Sequence, residues 1–243
     1  VLYQAAMSEF MMDQLEEALA KTNRIHDEFG THEVSAPAWN LRGDISVALE
    51  KEFAEVEPCY LQGRDGGRKF NQPETTAYAL WQLLMQAVDR EEWENAAEHF
   101  GQFREGHADS DYRHDVLVAA LPMLIAQGRQ DEGLEQLREV IWNHRDQPES
   151  NTLSEMFGSY VDYLETNFEP QKLGEEMLEL QSRRGTTPAL KGWTSIAMVD
   201  ALEKQEASQE RVDQHFYRLE AGFDPALQSN YPTVRLARWI TNI

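Results

Sequence analysis

The residues able to do chemistry are densest in one stretch, His99, His107, Asp109, Asp111, His114 and Asp115. All are ligand types for zinc or another divalent ion. They run from the end of one predicted helix through a loop into the next. His107 and His114 stand seven residues apart across that loop, a spacing that fits no tight ligand motif. Loops are rich in capping Asp in any case. A metal-dependent protein or enzyme with its site between His107 and Asp115 is therefore the alternative reading, and a polar link between helices is the simpler one. A second stretch, Gly63-Arg64-Asp65-Gly66-Gly67-Arg68-Lys69, has the glycines and bases of a phosphate cradle. It lacks the Gly-Lys-Ser/Thr ending and the preceding strand of a P-loop. It reads as a turn interrupting a long helix, and as the most basic spot on the chain. His26 and His32 flank Gly30 beside Glu28 and Glu33, without His-Glu-x-x-His spacing, and read as surface residues.

Other catalytic patterns fail on geometry. There is no Gly-x-Ser-x-Gly elbow. Neighbouring acids such as Glu16-Glu17, Glu91-Glu92 and Glu175-Glu176 would point about 100° apart on a helix and share no site. Cys59 is the only cysteine, so an intrachain disulfide and a multi-cysteine metal site are both excluded. We assign no catalytic residue, no metal ligand and no cofactor.

The composition narrows the partners. The 43 acids outnumber the 22 bases, for a net charge of −21. Such a surface repels phosphate backbones and anionic lipid headgroups, so neither nucleic acid nor a membrane surface is an expected partner. It serves solubility, and it would steer a basic partner. No run approaches the roughly 18 apolar residues of a membrane span. The most apolar run, from Val116 to Ala126, contains Pro122 and reads as a buried helix with a kink. The hydrophobic fraction of 41% is enough to bury a core.

The elements that hold these residues are helices in pairs. Helical periodicity is pervasive and strand alternation nearly absent. First helices are predicted over Leu2–Met12, Ala36–Glu50, Thr75–Asp89, Asp111–Gln127, Ser150–Thr166 and Pro188–Lys204. Second helices are predicted over Gln14–Phe29, Phe53–Phe70, Glu92–Glu105, Asp131–His144, Pro170–Arg183 and Ser208–Gly222. A last segment runs from Pro225 to Ile243. Pro170, Pro188 and Asp224-Pro225 suit helix starts, and Ser150 and Asp111 suit N-caps. The helix over Phe53–Phe70 is expected to break, because Pro58 and Gly66-Gly67 interrupt it.

Each second helix carries an apolar or small residue one turn in: Ala18, Val56, Ala96, Leu134, Leu173 and Val212. Their spacings are 38, 40, 38, 39 and 39 residues, the period of a two-helix repeat. One such repeat has no core of its own and hides its apolar face only against neighbours.

In this light the chain resembles the tetratricopeptide-repeat superfamily, in a divergent form with longer repeats. Trp39, Arg42 and Gly43 fall in the family's first-helix pattern, with Arg42 in the place of an apolar residue. Phe157-Gly158 and Ile196-Ala197 repeat its apolar–small step. Glu91-Glu92-Trp93-Glu94-Asn95-Ala96 leading to Phe100, and Glu16-Glu17-Ala18-Leu19, match its second helix.

The resemblance implies an all-α fold: a right-handed α-α superhelix (solenoid) of about six helix pairs plus a C-terminal helix, in one repeat domain. It implies a scaffold or adaptor whose first helices line a groove for a peptide or partner helix. Carried over by position, the groove residues are Asn40, Asp44 and Val47; Trp81, Met85 and Val88; Glu155, Ser159 and Asp162; and Thr194, Met198 and Ala201. This mixed apolar and acidic surface would prefer a protein or peptide with basic and apolar residues. The Trp residues are expected to pack between repeats. The chain begins at Val1 and not Met, which fits a docking or regulatory part of a larger envelope or signalling protein.

Overall fold

The computed structural model describes residues 1–148 and 151–204, with the side chains of residues 200, 203 and 204 left aside. The described residues hold eleven helices and no strand. They are α1 (Leu2–Met11), α2 (Leu15–Phe29), α3 (Ser35–Ala48), α4 (Phe53–Lys69), α5 (Pro73–Asp89), α6 (Trp93–Gly106), α7 (Arg113–Ala126), α8 (Gln130–Asn143), α9 (Asn151–Asn167), α10 (Pro170–Ser182) and α11 (Pro188–Lys204). The described residues are all-α, and the observed helix ends lie within two residues of those read from periodicity. Ser150 as an N-cap, the helix expected over Ser208–Gly222 with Val212, and the segment from Asp224 onward lie outside the described residues.

The chain forms two compact units, Val1–Gln130 and Asp131–Ile243. In the first, each helix packs on the next from α1 to α7. The first helices of successive pairs also touch, α1 on α3, α3 on α5 and α5 on α7. Ala18, Val56 and Ala96 sit in three separate apolar clusters, each shared by consecutive helices. In the second unit α9 packs on α10 and α10 on α11. Leu134 and Leu173, the equivalent positions there, are likewise buried.

Small residues set the approach within a pair. A Cβ on Gly43 of α3 would stand 2.6 Å from the Tyr60 ring of α4, and one on Gly63 would stand 1.8 Å from Asn40 Oδ1. The glycines of Gly63–Lys69 therefore admit neighbouring helices and form no turn. Contrary to the sequence expectation, α4 runs unbroken from Phe53 to Lys69 with Pro58 inside it. The ladder tolerates one missing amide when packing on both sides holds the helix. In the same way α7 continues past Pro122.

The links inside the first four pairs repeat one geometry. Asp13, Glu50, Glu91 and Gly128 all have positive φ, at 61°, 52°, 58° and 68°. After each, the next amide reaches back across the helix end: Gln14 to Glu9, Lys51 to Ser46, Glu92 to Ala87 and Arg129 to Leu124. This is the Schellman closure, which satisfies terminal carbonyls by turning one residue left-handed. Asn71, between α4 and α5, does the same.

Candidate binding cleft

Because the first helices of the N-terminal unit touch one another, their shared face encloses a cleft of about 360 Å³. Tyr3, Met7 and Phe10 of α1 line one side, Asn40 and Asp44 of α3 the floor, and Glu74 and Tyr78 of α5 the other side, with Tyr112 ahead of α7. The spacings follow from the helix: Asn40 and Asp44 are one turn apart, as are Glu74 and Tyr78.

Asp44 is the centre. The hydroxyls of Tyr60 and Tyr78 both donate to its Oδ1, at 2.7 and 2.8 Å. Burial pushes its pKa up to about 6, although both hydrogen bonds work the other way. Burial and the Asp44 charge together push the Tyr60 and Tyr78 hydroxyls far above the usual phenol range, so both remain donors. Tyr3 is raised by burial first and then by Asp44 and Tyr112. Asn40 is buried, and its Nδ2 donates to the Thr75 carbonyl at 2.9 Å, tying α3 to α5.

Glu74 fastens the far wall. Its Oε2 accepts from Ser110 Oγ at 2.6 Å and from the Asp111 amide at 3.3 Å. The expected N-cap, Asp111, lies outside α7, and Ser110 Oγ takes the Tyr112 amide instead at 3.2 Å. Tyr112 stacks on Trp81 with centroids 5.4 Å apart, and Tyr78 meets both rings edge-on. Two carboxylates and several phenol rings thus line one cleft, and no Lys, Arg or His lines it among the described residues. Such a surface favours a cation.

The structure gathers some of the residues singled out in sequence and not others. Asn40 and Asp44 line the cleft, and Trp81 stands behind Tyr112. One turn further on, Val47 and Met85 are exposed, while Val88 is half-buried against the core. In the other unit Glu155 and Asp162 are exposed on α9 and Ser159 is half-buried. Thr194, Met198 and Ala201 of α11 are buried, with Thr194 Oγ1 donating to the carbonyls of Leu190 and Lys191. Tyr3, Glu74, Tyr78 and Tyr112 were not singled out. A signal existed, since Tyr3, Asn40 and Tyr78 recur at intervals of 37 and 38 residues.

The other candidates resolve differently. Among the described residues no three His, Cys, Asp or Glu side chains are grouped to hold a metal ion. His99 is buried in α6, and burial, then Arg64, lower its pKa. His26 is not a surface residue: its ring stacks on Trp39 at 3.8 Å, and burial, then Arg42, lower its pKa to about 4. Arg42 lies over the same indole at 5.0 Å, which explains how a charged side chain occupies an apolar place. Trp193 is fully buried against Phe157. No helix among the described residues is long and apolar enough to cross a membrane.

Compared with protein-family models, curated proteins and solved structures, the chain matches none.

Proposed function

We propose that the protein is a tetratricopeptide-like scaffold: a right-handed superhelix of helix pairs whose first helices hold a partner peptide or helix carrying basic and apolar residues. The observation that carries this reading is the acidic, aromatic-walled cleft on the shared face of α1, α3 and α5. Two further features support it. The Schellman link recurs at near-repeat intervals, as a stack of like helix pairs requires. Exposed Val47, one turn beyond Asp44, and exposed Met85, two turns beyond Tyr78, extend the first helices with apolar surface beside the charged cleft. The net charge of −21 adds long-range attraction for a basic segment.

Selection from a random peptide library on the full chain tests this. Enriched peptides should combine Arg or Lys with large apolar residues, should bind less tightly as salt rises, and should be lost in the double variant Asp44→Lys, Met85→Glu. No enrichment, or enrichment that the double variant retains, would overturn it.

A further inference from the structure

We propose that the cleft is a subsite for one basic side chain of a partner segment, whose cationic end docks on Asp44 beside Tyr78 and Tyr112. This rests on the peptide-binding reading and narrows it to a single anchoring contact. Both hydrogen bonds that Asp44 accepts fall on Oδ1, and Oδ2 receives none among the described residues. Glu74 is arranged alike: Ser110 and the Asp111 amide occupy Oε2 and leave Oε1. Each acid therefore has one oxygen fixed by the protein and one uncommitted.

The aromatic groups add to the same preference. A phenol ring is negative on its face, and cations dock over such faces. Tyr112 is held by its stack on Trp81 and Tyr78 by its hydroxyl bond to Asp44, so the walls are set before anything binds. The volume of about 360 Å³ suits a long side chain with part of its backbone. No basic residue of the cleft lining competes for the place. A bare metal ion fits less well, because it needs more oxygen ligands than these two.

Burial opposes ionisation of Asp44 in the free chain, and a docked cation would offset that opposition. Docking should therefore strengthen as the carboxyl ionises through about pH 6. The groups facing Asp44 are Tyr3 from α1, Tyr60 from α4, Glu74 and Tyr78 from α5, and Tyr112 ahead of α7. The phenols stay neutral across this range, since the shifts of Tyr3, Tyr60, Tyr78 and Tyr112 are all upward.

The test titrates the full chain, with ¹³C-labelled tyrosine rings, with acetyl-Ala-Arg-Ala-amide and with the same peptide carrying citrulline, which keeps the shape without the charge. The arginine peptide should shift the Tyr78 and Tyr112 signals saturably and bind about tenfold tighter than the citrulline peptide. Asp44→Asn should remove that advantage, Glu74→Gln should reduce it, and lowering the pH from 7 to 5 should weaken it severalfold. Equal binding of the two peptides, or full arginine affinity in folded Asp44→Asn, would overturn the subsite. Library peptides whose binding survives Asp44→Asn but is lost in the double variant, with no arginine preference here, would sink the subsite and leave the scaffold reading standing. Saturable arginine binding with no library enrichment would do the reverse.

Discussion

At the scale of residues, the same physics gives two buried carboxyls opposite behaviour. Asp44 has only neutral hydroxyl donors, so burial wins and its pKa rises to about 6. Glu176, buried in the other unit, is also pushed up by burial, but Lys172, Tyr160 and Arg138 outweigh that and hold it below the usual carboxylate range. The signs for stability follow. For Asp44 the folded state binds its proton more tightly than the unfolded chain does. Its contribution is favourable below the ordinary carboxyl pKa and is lost as pH rises through about 6. Asp44→Asn should therefore raise stability at pH 7 by on the order of 1 kcal/mol, with the gain vanishing near pH 4 in urea unfolding. Glu176 contributes above the ordinary carboxyl pKa and loses that contribution as pH falls through its depressed value. Glu176→Leu should cost about 1–2 kcal/mol in the same assay, because it leaves the buried Tyr160 hydroxyl without its acceptor and takes one partner from Lys172 and from Arg138, which keeps Glu135 and Glu179. Loss of binding in Asp44→Asn together with a gain in stability would mark Asp44 as a group kept for a partner and not for the fold.

At the scale of elements, the helices were legible because their apolar residues keep helical period and Gly, Pro and Asp punctuate the links. The interior glycines were not. Gly63 and Gly66-Gly67 read as a break in α4 because a local pattern cannot show that α3 lies against Gly63. Packing overrode propensity, as it did at Pro122. Asp44 was reached through a positional resemblance. The tyrosines around it were missed because Tyr3, Tyr60 and Tyr78 lie on three different helices and Tyr112 ahead of a fourth, and each acquires its role only where α1, α3 and α5 meet. Burial of Thr194 and Met198 depends on how α11 packs, which position within a repeat does not encode. The Schellman links were hidden by chemistry: Asp13, Glu50 and Glu91 adopt a left-handed φ that sequence rules reserve for Gly or Asn. That choice carries strain, so Glu91→Gly should stabilise the N-terminal unit by about 0.5–1 kcal/mol in thermal or urea unfolding. A neutral or destabilising result would mean that the Glu side chain makes a compensating contact in solution.

At the scale of the molecule, the recurring period, the sequential helix contacts of the N-terminal unit and the acidic charge all serve one proposal, that first helices form a binding face and second helices support it. The division matters more than any single residue, because it says which half of each helix pair in the N-terminal unit meets the partner. Hydrogen exchange on the full chain, with and without a bound basic and apolar peptide, tests it most directly. Slower exchange should fall in Leu2–Met11, Ser35–Ala48 and Pro73–Asp89, with the link ahead of α7 that carries Tyr112. Slowing instead in Leu15–Phe29, Phe53–Lys69 and Trp93–Gly106, with the first helices unchanged, would contradict the account.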